Sequence, residues 1–98
     1  MRVLFVCTGN TCRSALAEAI AREELQSLRI PDVEVSSAGI HAWAGAPASD
    51  GALLVALEQQ LDLSAHRARV LDKELLAEQD LILVMSLHHL ERVEALGG

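Results

Sequence analysis

An open, mostly parallel α/β sheet with helices on both faces is the fold this sequence predicts. Three observations carry it. Apolar runs of strand length recur at 2–7, 33–38 and 80–85. The first and last are apolar on both faces, as strands of a covered parallel sheet are. Stretches of helical length lie between these runs, giving the order β-α-β-α-α-β-α, which favours parallel pairing through crossovers. Finally, the turn Cys7-Thr8-Gly9-Asn10-Thr11-Cys12-Arg13-Ser14 joins the first strand directly to the first helix.

The elements follow in order. Residues 2–7 form the first strand. Residues 14–28 form a helix, with Leu16, Ala17, Ile20, Ala21, Leu25 and Leu28 at helical spacing. Pro31 and Asp32 break the chain before an alternating strand, Val33 to Ala38. Gly39 to Gly45 is a loop carrying His41 and Trp43. Pro47 is expected to open a helix over 47–60. Residues 61–69 read as irregular, 72–78 as a short helix, and 80–85 as the third strand. Ser86 caps a last helix, 87–96, that ends at Gly97-Gly98.

Composition narrows the function. Ninety-eight residues, 51% hydrophobic, suffice for one small core, so 1–98 reads as a single domain. Eight basic against fourteen acidic residues leave a net charge of −6 and no basic stripe for nucleic acid. No apolar stretch nears the roughly 20 residues of a membrane span, and the apolar N-terminus runs into a turn like a buried strand. Two cysteines make no disulfide framework, so the expected compartment is the cytoplasm. Phe5 and Trp43 are the only aromatics besides histidine, which leaves an aliphatic core.

The chemistry lies in the first turn. Ligands of open α/β sheets sit outside the carboxyl ends of the strands, where Cys7 stands. Loop N–H groups and the helix N-terminus would converge on a concavity that suits a tetrahedral oxyanion. Cys7 and Arg13 are separated by five residues. A thiolate is favoured beside such N–H groups and a cation, and can attack phosphorus. Arg13 can hold two phosphoryl oxygens and offset equatorial charge in the transition state. Gly9 is expected to allow close backbone approach. Ser14 can donate its hydroxyl to the departing sulfur. The scheme is a double displacement through a cysteinyl phosphate; it calls for no metal and no cofactor, but wants a general acid.

On the run Val6 to Ser14, the following Ala17-Glu18, Ser36 to Gly39, Ala65 to Arg69 and the strand from Asp80 to Met85, the chain resembles the low-molecular-weight protein-tyrosine phosphatase family, including its protein-arginine phosphatases. The resemblance implies that Cys7 is the nucleophile and Arg13 the phosphate clamp. It implies a phosphate-binding loop made of Thr8, Gly9, Asn10, Thr11, Cys12, Arg13 and Ser14. Asn10 would hold the loop's shape, with Ser37 and His66 as its partners. Cys12 would be a neighbouring thiol able to pair reversibly with Cys7. Thr11 and Trp43 would line the substrate cleft, although Trp43 could equally cap the core. Threonine at Thr11 accompanies phosphoarginine activity in that family, and isoleucine phosphotyrosine activity; both substrates stay open. His41, His88 and His89 read as solvated, without a role.

Two departures go with the resemblance. Ala15 stands where many members have proline. The chain also stops at Gly98, short of an Asp-Pro loop supplying the general acid, a fourth strand and a C-terminal helix. The expectation is a domain incomplete at its C-terminus, with uncovered apolar surface that favours self-association. The implied partners are a phosphorylated protein and inorganic phosphate or other oxyanions. Two rivals remain: a thiol-linked arsenate reductase, disfavoured by the lack of cysteines after Cys12, and a phosphate-binding module without turnover.

Overall fold

The structure, a computed structural model, describes residues 1–97. Three parallel strands form one sheet in the order β2-β1-β3. They are β1 (Arg2–Cys7), β2 (Glu34–Gly39) and β3 (Leu81–Val84). The central strand pairs from Arg2↔Glu34 to Cys7↔Gly39 on one side and from Val3↔Leu81 to Val6↔Val84 on the other. The chain thus leaves β1 on one side, for β2, and later returns on the other, for β3. The carboxyl end of β1 lies where the winding reverses, which is where such sheets leave a crevice.

Side chains alternate across β1. Leu4 and Val6 are fully buried in a core with Ala38, Ile40, Leu71, Leu76 and Val93. The last two come from the helices α3 (Lys73–Ala77) and α4 (Leu87–Ala95). Cys7 points to the opposite face, toward α1 (Arg13–Ser27). A second core of Ala48, Ala52, Ala56 and Leu63 joins α2 (Asp50–Glu58) to α1 through Leu16 and Ala19. Helices therefore cover both faces, as the element order implies.

Four expectations shift. The helix foreseen from Pro47 starts at Asp50, because the Ser49 hydroxyl accepts the Ala52 N–H and caps it there. The short helix begins after Asp72, whose carboxylate accepts the Leu75 N–H. Asp80 lies outside β3, where its carboxylate accepts the Arg2 N–H at 2.7 Å. The stripe on α1 is only partly buried: Leu16 packs on the second core, but the fully buried residues are Ser14 and Ala15, while Ile20 is 44% and Leu28 66% exposed. Helix α1 approaches β1 and β2 through small residues near its start, and its larger apolar side chains lie further out. Leu81 and Leu83 on β3 are also 40% and 39% exposed.

Candidate active site

Residues 8–12 link β1 to α1 in a loop held from outside by its carbonyls. Ile40 donates to Cys7 O, His41 to Thr8 O, Ser49 to Thr11 O and Leu16 to Cys12 O, all as backbone N–H groups at 2.9–3.0 Å. His66 Nε2 donates to Asn10 O at 2.6 Å. In a planar trans peptide the C=O and the next N–H point in opposite directions. Among the described residues no peptide is cis. Engaging those carbonyls outward therefore turns the N–H groups of Gly9, Thr11, Cys12 and Arg13 inward. Cys12 occupies the N-cap of α1 and makes no side-chain capping bond. The first-turn donors of a fifteen-residue helix, with the positive end of its dipole, face the same concavity.

Cys7 lies at its floor, 4% exposed. Its Sγ accepts the Asn10 N–H at 3.3 Å and stands 2.8 Å from Ser14 Oγ. The surrounding network settles which atom donates. Asn10 is fully buried, and its Oδ1 accepts the Arg69 N–H at 2.8 Å. Its amide nitrogen gives one proton to Ser14 Oγ at 2.9 Å and one to Ser37 Oγ at 2.8 Å. Ser37 in turn donates to Glu18 Oε1 at 2.6 Å, and Arg22 holds Glu18 Oε2 at 2.7 Å. The fully buried Ser14 hydroxyl has no other acceptor for its proton among the described residues, so it donates to Cys7 Sγ. The side-chain donors of Asn10, Ser14 and Ser37 are all committed, so the sulfur receives two hydrogen bonds from fixed directions.

Asn10 also takes the left-handed conformation, φ 57°. The left-handed torsion of the loop thus falls on Asn10, a residue type that tolerates it, and not on Gly9. A Cβ at Gly9 would make only ordinary contact, 3.6 Å from Thr11 Oγ1. The glycine that close approach requires is Gly39. A Cβ there would fall 2.5 Å from Thr8 O and 2.9 Å from Asn10 N.

The other expected residues fall as follows. Ser37 and His66 both contact Asn10. Arg13 opens α1, exposed, and has no ion pair among the described residues. Thr8 is exposed and Thr11 half-buried at the loop rim. Cys12 is exposed, and both thiols are free. Trp43, 84% exposed, does not cap the core. Its segment borders the loop through the His41 and Ser49 bonds. A cleft of about 360 Å³ lies behind the network, against Glu18, Arg22, Ser37, His66 and Arg69; Cys7 and Arg13 do not line it.

His89 overturns its reading as a solvated residue. It is 2% exposed, because α4 packs the side of the helix carrying His89 and Val93 inward. Its Nε2 lies 3.0 Å from Thr8 Oγ1. Burial, then the nearby charges of Arg13 and His88, hold its pKa below the usual imidazole value. Only the amphipathic phase of α4, with His89 four residues before Val93, could have flagged it in the sequence.

A family model described as low molecular weight phosphotyrosine protein phosphatase matches residues 2–98. The probable low molecular weight protein-tyrosine-phosphatase EpsP of Ralstonia nicotianae is 46% identical over 83 residues, 85% of this chain and 54% of that protein. A protein-arginine-phosphatase of Geobacillus stearothermophilus is 41% identical over 92 residues, 94% of this chain and 59% of that protein. Among solved structures, the YwlE arginine phosphatase, as a cysteine-to-serine mutant with a phosphorylated active-site serine, superposes with a TM-score of 0.92. It is 34% identical, over 97% of this chain and 61% of that one. The chain thus spans less than two thirds of the length of each protein it is compared with here. It belongs to the low-molecular-weight phosphotyrosine protein phosphatase family.

Proposed function

We propose that this chain carries the nucleophilic site of a cysteine-dependent protein phosphatase acting on phosphotyrosine or phosphoarginine. The observation that carries the reading is Cys7 Sγ at the N-terminus of α1, held by Asn10 N–H and Ser14 Oγ. The Cys7 thiolate attacks phosphorus. An S–P bond forms as the P–O bond of phosphotyrosine, or the P–N bond of phosphoarginine, breaks. The electron pair leaves on the departing group, which takes up a proton. Water then attacks phosphorus, the S–P bond breaks, and the pair returns to sulfur as water loses a proton to base. The inward N–H groups and Arg13 balance the charge that grows on the equatorial oxygens. Ser14 supports the sulfur when it leaves. The YwlE mutant phosphorylated on its active-site serine is consistent with a phosphoryl group carried on the matching nucleophile.

Thr8, Gly9, Asn10, Thr11, Cys12, Arg13 and Ser14 make up the phosphate-binding loop in this reading, and residues 1–98 act as one domain. Thr11 and Trp43 face the leaving group, and Cys12 is the thiol in reach of redox control. The partners are phosphorylated proteins and free phosphate. Exposed Leu81 and Leu83 supply a surface for self-association. No helix among the described residues is long and apolar enough to cross a membrane. We assign the chain to the cytoplasm on its two free thiols.

Stopped-flow hydrolysis of p-nitrophenyl phosphate tests the reading, because that leaving group scarcely needs a proton. The expected result is a burst approaching one equivalent of nitrophenolate per chain, abolished in Cys7→Ser. Phosphate binding without a burst would leave only a binding module. The ratio of kcat/KM on phosphotyrosine and phosphoarginine peptides then selects the substrate.

A further inference from the structure

We propose that His89 is a positioning residue of this site: by donating from Nε2 to Thr8 Oγ1 it holds the Thr8 hydroxyl as a proton donor to an oxyanion in the loop. The inference rests on the reading of the loop as a phosphoryl site. Its basis is a hydrogen-bond balance. His89 Nε2 lies 3.0 Å from Thr8 Oγ1, whereas its Nδ1 is buried with no partner among the described residues. A neutral imidazole carries one N–H. On Nδ1 that proton would be a stranded buried donor, the costlier outcome; on Nε2 it leaves only an unused lone pair. The Nε2–H tautomer follows, and Thr8 Oγ1 accepts.

The Thr8 hydroxyl then cannot spend its own proton on His89. Thr8 is exposed at the loop rim, and its carbonyl is tied to His41 N–H. The free proton is available on the side away from α4. The charged groups that act on His89 are Arg13 on α1 and His88 on α4, and the Cys7 thiol ends β1 beside its partner Thr8. Burial first, and then the Arg13 guanidinium, disfavour the charged form of the His89 ring, in keeping with the donor arrangement. His89 stays in place through α4, whose first turn is capped by Ser86 accepting the His89 N–H.

A double-mutant cycle read by orthovanadate binding tests this. Thr8→Val, which keeps shape and removes the hydroxyl, should weaken vanadate about tenfold, the loss of one bond to a charged acceptor. His89→Leu should weaken it several-fold when Thr8 is intact, and not at all when combined with Thr8→Val in the double variant. His89→Gln, whose amide can still donate, should recover wild-type affinity. Additive losses, or wild-type affinity in His89→Leu, would overturn the inference while leaving the site reading intact. Wild-type protein that bound no vanadate would overturn both. Long-range ¹⁵N–¹H NMR on the wild-type chain needs no variant to fold: the Nε2–H tautomer is expected at pH 7.5, and Nδ1–H or a charged ring would sink the proposal.

Discussion

Two histidines grip the same loop from opposite flanks, and they do it differently. His66 reaches a backbone oxygen, Asn10 O, at 2.6 Å. A carbonyl can only accept, so the geometry alone assigns the Nε2 proton. His89 reaches a hydroxyl, Thr8 Oγ1, which can accept or donate. There the direction of the bond comes from burial of the other ring nitrogen. The Asn10 flank is also fully bonded, down to Arg22 on the surface. The Thr8 flank holds an orphaned Nδ1. The first flank is built for rigidity, and the second for a donor whose proton is not spent within the protein. A buried network with every member satisfied fixes one geometry; at Thr8, an oxygen that accepts from His89 keeps its own proton for a ligand.

Breaking the Asn10 flank should have the largest effect. Asn10→Ala removes the acceptor of the Arg69 N–H, frees Ser14 to turn its proton from sulfur, and places alanine at φ 57°. The expected loss is about 3 kcal/mol of stability in urea unfolding. The burst rate should fall about 100-fold, as misplaced reacting groups do. Near wild-type behaviour would mean that the network does not direct the Ser14 proton.

A change at Gly39 strikes both flanks together. Its added Cβ would meet Thr8 O and Asn10 N, and both are backbone atoms with little room to yield. Gly39→Ala should therefore destabilise by about 2 kcal/mol, the range of an overpacked core. Phosphate binding should fall with it. Gly9→Ala, open to ordinary contact, is the matched control on stability alone and should stay near wild type.

The smallest effect is the pH dependence at His89. His89 has a depressed pKa in the folded chain, from burial first and then from Arg13 and His88. The unfolded chain therefore binds that proton more readily. The stability at stake is complete above the unfolded value of about 6.5 and is lost as pH falls through the folded pKa. The difference in Tm between wild type and His89→Gln should shrink or reverse from pH 7.5 to 5.5. A constant difference would show that His89 does not titrate between the two states.

Much of this is legible in the chain itself. A strand, a glycine turn with Cys7 and Arg13 five residues apart, and a helix are local features, and sequence order carries them. The capping serine before α4 is local too. The start of α2 is misplaced by the proline at position 47, which signals a helix three residues too early. The Ser49 hydroxyl, accepting the Ala52 N–H, sets the start at Asp50.

What depended on the tertiary structure is whatever joins distant positions. Gly39 looks like any loop glycine until β2 brings it against Thr8 and Asn10. His89 reads as a polar residue beside another histidine until α4 lays it over Thr8, 81 residues away. Sequence by itself determined which groups the proposed phosphoryl chemistry can draw on, because the Cys7 thiol, the Arg13 cation and the helix start lie within eight residues. Only the fold decided where their protons point, since the hydrogen-bond directions around Cys7 depend on partners from β2 and the segment before α3, and that at Thr8 on α4.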